Sequence, residues 1–146
     1  MLKGIPKILS PELLKVLAEM GHSDRLVISD GNFPAESMGK DAIVIRCDGH
    51  GVPELLDAIL QVFPLDTYVE HPVNLMEVMP GDDVETPIWD TYKEIIRKHD
   101  DRGDAVVGNI ERFAFYEEAK KVYAIIATGE SALYANIMLQ KGVVTD

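Results

Sequence analysis

The stretch EMGHSDRLVISDGNFP, from Glu19 to Pro34, places a histidine and a carboxylate on either side of a short apolar run. His22 lies just past what reads as a helix end, and Asp30 follows the run directly, ahead of Gly31 and Asn32. Packing alone needs neither residue. An imidazole titrates near neutrality and suits proton transfer. A carboxylate beside a glycine and an asparagine suits either a turn or the holding of a polar ligand. Further polar and aromatic candidates are Asp66 in PLDTY, Arg112 and Tyr116 in ERFAFYEEAKK, and Tyr134 and Asn136 in LYAN. Each has a plainer reading as a loop acid, a helix-face ion pair or a core or rim aromatic. Together they suit a hydroxyl-rich small molecule, because carboxylates and amides bond hydroxyls while aromatic rings offer a flat apolar face.

The elements that position these residues can be read from capping and periodicity. Ser10 and Pro11 open a helix, Leu13, Leu14, Val16, Leu17 and Met20 form its apolar face, and Gly21 stops it. RLVIS (Arg25 to Ser29) reads as a strand, DGNFPAESMGK as a loop, and AIVIRC as a buried strand of the parallel-sheet kind. A helix over Pro53 to Phe63, a strand over Pro72 to Met79 and a helix opened by Thr86 and Pro87 follow. The apolar face of that last helix is Ile88, Trp89, Tyr92, Ile95 and Ile96. Next come a charged loop, HDDRGD, and a strand over Ala105 to Ile110. A helix over Glu111 to Lys121, a strand over Val122 to Thr128 and a last short strand within YANIMLQKGVV complete the chain. Alternating strands and helices predict an α/β single-domain layered sandwich over residues 1–146, with a largely parallel or mixed sheet flanked by helices. In such sheets ligands gather at the carboxyl ends of strands, where Asp30 falls. His22 falls nominally at the other end, so the two meet only if a loop folds back or a neighbouring subunit contributes.

Composition narrows the function. The net charge of −11 argues against nucleic acid and anionic membrane surfaces, and is compatible with a neutral small molecule. The single cysteine, Cys47, excludes a disulfide framework and reads as a small buried hydrophobe. No stretch approaches the ~20 apolar residues of a membrane span, and the N-terminus is broken by prolines and charges, so a cytoplasmic location is expected. The sequence contains no GxGxxG, Walker or GxSxG motif. His22, His50, His71 and His99 are scattered without metal-ligand spacing.

Taken in order, LKGIPKILSPELLKVLAEMGHSD, SDGNFPA, PLDTY, TPIW, ERFAFYEEAKK and ATGESALYANIMLQKG resemble the sugar mutarotase family that contains L-fucose mutarotase and D-ribose pyranase, on the fucose side. The resemblance spans nearly the whole chain. It implies an isomerase that interconverts anomers of a free monosaccharide, L-fucose or a related sugar, with no metal or organic cofactor. It also implies a ring-shaped homo-oligomer, typically a decamer, with sites at subunit boundaries. By position, His22 corresponds to the general acid, and Asp30, Asp66, Arg112, Tyr116, Tyr134 and Asn136 to sugar-binding residues. The fucose branch usually has alanine at Gly31 and glycine at Ala135, and these departures bear on sugar preference. A non-catalytic sugar-binding protein, a pyranose/furanose isomerase and a purely structural oligomer are the alternatives.

Overall fold

A computed structural model describes all residues, 1–146. Helix α1 (Pro11–Glu19) starts where Ser10 accepts a hydrogen bond from the Leu13 N–H at 3.1 Å, with proline in its first turn. Strand β1 (Arg25–Ser29) follows, then a four-residue helix α2 (Ala35–Met38) and strand β2 (Ile43–Cys47). Helix α3 (Val52–Leu60), strand β3 (Val73–Met76) and helix α4 (Pro87–His99) come next. A 3-10 turn (Gly103–Val106) leads into strand β4 (Val107–Ile110). Helix α5 (Arg112–Ala119), strand β5 (Ala124–Thr128) and strand β6 (Ile137–Gln140) close the fold.

The six strands form one mixed sheet in the order β2-β5-β1-β6-β3-β4. β2, β5 and β1 are mutually parallel, as are β3 and β4. β6 runs antiparallel between β1 and β3, so all the other strands point the same way and end on one edge. Its register pairs Ile28 with Ile137 and Arg25 with Gln140. The start of β6 therefore lies beside the end of β1, which sets what can meet at that edge.

Side chains alternate across the strands and build two cores. Leu26, Ile28, Ala124, Ile126, Ile137 and Leu139 face a cluster of 26 buried residues that includes α1, α3 and α4. Val27, Ile125, Ala127 and Met138 face the other way, into a cluster of 10 with α2 and α5. The architecture is the expected α/β sandwich, a sheet covered on both faces.

Three local expectations are corrected. AIVIRC pairs in parallel as read, but β2 is the sheet's edge, and Ile43 is exposed. With one flank open, its Arg46 turns outward to Asp48 and Glu36. The supposed loop after Asp30 contains α2, which Ala35 anchors in the smaller core. The run HDDRGD is not simply solvated. Arg102 holds Asp100 and also donates to the Asp66 carbonyl at 3.0 Å, tying this loop to the one that carries Asp66.

Ile126 is fully buried in the central parallel strand β5. Ile126→Ala is expected to cost about 2–5 kcal/mol of unfolding free energy in urea titrations, since a rigid sheet cannot collapse into the void.

Candidate functional site

The carboxyl edge of the sheet carries a pocket of about 350 Å³, lined by Asp30, Asn32, Phe33, Met76, Asp82, Val84, Arg112, Tyr116, Leu133, Tyr134 and Asn136. Five of the sequence-predicted residues, Asp30, Arg112, Tyr116, Tyr134 and Asn136, thus share one cavity. A larger groove of about 490 Å³ follows the N-terminal segment, but its walls are mainly aliphatic and hold no residue of this set.

The pocket's floor is the junction between β1 and β6. The Asp30 N–H donates to the Asn136 side-chain oxygen at 2.8 Å. That bond fixes the orientation of the amide, so its NH₂ group, without a partner in the chain, is left for the cavity that Asn136 lines. Asp30 itself is 7% exposed and accepts from the Asn32 N–H at 3.0 Å. Burial pushes its carboxyl above the usual aspartate range, against the pull of the N–H groups of Asn32, Phe33 and Ala135.

The wall is the start of α5, which Glu111 caps by accepting from the Ala114 N–H. One helical turn separates Arg112 from Tyr116, so the two side chains meet on one face. The guanidinium carbon sits 5.6 Å from the Tyr116 ring centroid, and Nε donates to the phenol oxygen at 3.4 Å. Phe33 backs the same ring at 5.7 Å. The terminal guanidinium nitrogens keep their donors for a ligand.

Opposite stands Tyr134, in the left-handed region with φ 53. Such a backbone persists in a non-glycine residue only when its surroundings hold it. Here α4 does so. Trp89 Nε1 donates to the Tyr134 carbonyl at 2.8 Å, and the Tyr92 hydroxyl donates to the Ala135 carbonyl at 2.6 Å. The two aromatics read from periodicity as an apolar face thus clamp the LYAN turn by their polar tips. Their spacing revealed the packed face, and nothing in it revealed these bonds. Asp82, also lining the pocket and not singled out from sequence, accepts a hydrogen bond from the Tyr134 hydroxyl.

Ala135 is fully buried and, like Gly31, does not line the cavity. A side chain at 31 would come within 3.2 Å of the Glu130 carbonyl oxygen, so glycine lets these loops pack closely. Both departures act on the backbone behind the pocket.

His22 and Asp66 are elsewhere. They lie at the opposite edge, separated from Asp30 by the five residues of β1, about 17 Å of strand. The loop does not fold back. The His22 side chain is 41% exposed, and its Nε2–H donates to Asp66 Oδ1 at 3.1 Å. The Tyr68 ring tilts against the imidazole at 5.0 Å. Asp66 is 1% exposed and also accepts from the Tyr68 N–H and from Gln140 Nε2, both at 3.0 Å. Burial opposes its charge, but those donors and His22 outweigh it and hold the carboxyl below the usual range. Within the chain, Asp66 is the group that orients His22. The arrangement leaves Nδ1 of an exposed imidazole free, with a buried carboxylate holding the other ring nitrogen.

No group of three or more His, Cys, Asp or Glu side chains is placed to hold a metal ion, and no helix is long and apolar enough to cross a membrane.

The fold and pocket define an α/β protein with a small polar pocket at the carboxyl edge of its sheet. The chain belongs to the RbsD / FucU transport protein family, which it matches over residues 3–144. It is 51% identical over 148 residues to the fucose mutarotase of Homo sapiens, covering 97% of this chain and 94% of that one. Among solved structures, FucU from Bifidobacterium longum superposes with a TM-score of 0.96 at 68% identity, over 98% of this chain and all of the other. The fucose mutarotase of Streptococcus pneumoniae in complex with L-fucose superposes at 0.90 with 50% identity, over 99% of this chain and 100% of that one.

Two stability measurements check this geometry. Tyr92→Phe orphans a buried carbonyl and is expected to cost about 1–3 kcal/mol. Asp30→Asn relieves a buried charge. Because the folded-state pKa is raised, the native carboxylate is destabilising once pH exceeds the unfolded value near 3.9. The variant should melt higher than wild type at pH 7, and the gain should vanish as pH falls below that value.

Proposed function

We propose that this chain is a sugar mutarotase acting on L-fucose, interconverting the α and β anomers of the free monosaccharide. The observation that carries the reading is the pocket's set of polar groups that keep bonding capacity toward one small cavity. The Asn136 NH₂ and the guanidinium of Arg112 donate, the Asp30 carboxyl accepts, and Tyr116 and Tyr134 supply phenols and ring faces. Such a set matches the vicinal hydroxyls and apolar face of a pyranose. The similarity to fucose mutarotases, one of them in complex with L-fucose, runs through nearly the whole chain.

Mutarotation needs two proton movements. One group takes the proton of the anomeric hydroxyl while another protonates the ring oxygen, and the C1–O bond opens to the aldehyde. Rotation about C1–C2 and reversal of the transfers close the ring on the other face. A positioned acid or base accelerates such a step by roughly 10²–10⁴-fold. His22 is the acid of this reading. Its Nε2–H is held by Asp66, so Nδ1 carries the proton that is delivered and recovered. Asp66 accepts from His22, Tyr68 and Gln140, so its part is to orient the imidazole. Asp30, Arg112, Tyr116, Tyr134 and Asn136 bind the sugar.

His22 cannot reach the pocket of its own chain across β1. The same reading therefore places the imidazole of a neighbouring copy over each pocket. The chain then works as a ring-shaped homo-oligomer, a decamer in this proposal, with its sites at subunit boundaries. Exposed Tyr68, Phe113 and Leu133 lie beside the two half-sites and suit burial between copies. A free cytosolic sugar is the expected substrate, and the proposal extends to a cytoplasmic location.

Anomer exchange followed by saturation-transfer NMR tests the reading across L-fucose, D-galactose and D-ribose. Acceleration greatest for L-fucose, and reduced by at least about 100-fold in His22→Ala, is expected. Wild-type protein that binds the sugar without speeding exchange would make it a binding protein instead. Preferential exchange of ribose would move it to the pyranose/furanose isomerases.

A further inference from the structure

Asp82 belongs to no part of the acid–base scheme above, yet it faces the same cavity. It follows Gly81, whose φ of 91 lets the PGDD turn double back after β3. The turn brings the carboxylate to the hydroxyl of Tyr134, which donates to Asp82 Oδ2. The same phenol oxygen accepts from the Met79 N–H at 3.3 Å. A phenol has one proton and two lone pairs. Here the proton and one lone pair are both engaged by a single turn of chain. What remains toward the cavity is one lone pair.

We propose that Asp82 is a positioning residue that fixes the Tyr134 phenol as a hydrogen-bond acceptor, so that the sugar hydroxyl meeting it must be a donor. The inference rests on the sugar-binding reading of the pocket and deepens it. Tyr134 is held at both ends. Trp89 and Tyr92 clamp the backbone carbonyls of the turn, and Asp82 with Met79 clamps the hydroxyl. Without Asp82 the phenol regains a free proton, can donate instead of accept, and loses its charge-assisted anchor. Asp82 is exposed, so removing it opens no core cavity and a stability loss is not expected. The charged groups that act on Tyr134 are Asp82, which pushes its phenol above the ordinary value, and Arg112, which opposes that; Asp30 lines the same cavity.

The test compares full-length Asp82→Ala, Asp82→Asn and Tyr134→Phe with wild type, using L-fucose as the probe. Asparagine keeps an oxygen that can accept the Tyr134 proton, whereas alanine does not. Asp82→Ala is expected to slow anomer exchange about tenfold, the factor that one lost hydrogen bond gives. Asp82→Asn should recover to within about threefold, and the urea midpoints of both Asp82 variants should match wild type. In protein carrying ¹³Cζ-tyrosine, the Tyr134 titration midpoint should fall in both Asp82 variants. Wild-type exchange in Asp82→Ala, equal slowing in Asp82→Asn, or an unmoved Tyr134 titration would each overturn the proposal. If wild type itself does not speed exchange, the mutarotase reading fails on its own. The Asp82 proposal is then decided by the Tyr134 titration and by L-fucose affinity, which Asp82→Ala must lower and Asp82→Asn restore.

Discussion

One antiparallel strand organises this molecule. β6 enters the sheet between β1 and β3, against the direction of every other strand. Its beginning therefore lies among the carboxyl ends of its neighbours. Without that reversal, the LYAN turn and the end of β1 would sit at opposite edges. The Asp30 N–H to Asn136 bond is the local expression of this constraint. It joins two chain segments 106 residues apart and orients the amide toward the cavity, beside a carboxylate whose burial disfavours its charge, an effect that the N–H groups of Asn32, Phe33 and Ala135 oppose. Everything else in the pocket is arranged around that junction.

The same strand pairing separates the chemistry. Gln140, at the far end of β6, supports Asp66 and so His22 at the opposite edge. A single sheet thus displays the His22–Asp66 pair on one edge and the Asp30 pocket on the other, with β1 as the spacer. Rigidity here is useful. Both clusters lie at strand ends and are clamped by aromatic or charged side chains, so in the proposed oligomer each would be pre-organised before meeting its complement. The stability cost of burying Asp30 and of holding Tyr134 in the left-handed region belongs to a site in which geometry matters more than comfort.

Much of the fold was legible in the chain. The bounds of β1 and the Ser10–Pro11 start of α1 follow from local chemistry, and the structure reproduces them. Where reading failed, tertiary context decided. AIVIRC has the composition of a central strand but pairs on one side only, because nothing in a six-residue window encodes a neighbour's absence. The residues FPAES carry loop signals, and α2 exists because Ala35 and Phe33 are drawn into the smaller core. The pocket was partly legible. Five of its lining residues could be named from residue type and family resemblance. Asp82, Trp89 and Tyr92 could not be placed, since their contribution is a hydrogen bond to a segment some 40 to 50 residues away. The pairing of His22 with Asp66, 44 residues apart, was hidden for the same reason.

The central claim is that one chain's His22 serves another chain's Asp30 pocket. Co-expression of His22→Ala with Asp30→Ala addresses it directly by L-fucose anomer exchange. Each variant alone should be inactive. Random mixing in a head-to-tail ring should restore activity to about a quarter of wild type, because about one boundary in four then joins an intact His22 to an intact Asp30. Mixed oligomers no more active than either variant alone would contradict the account.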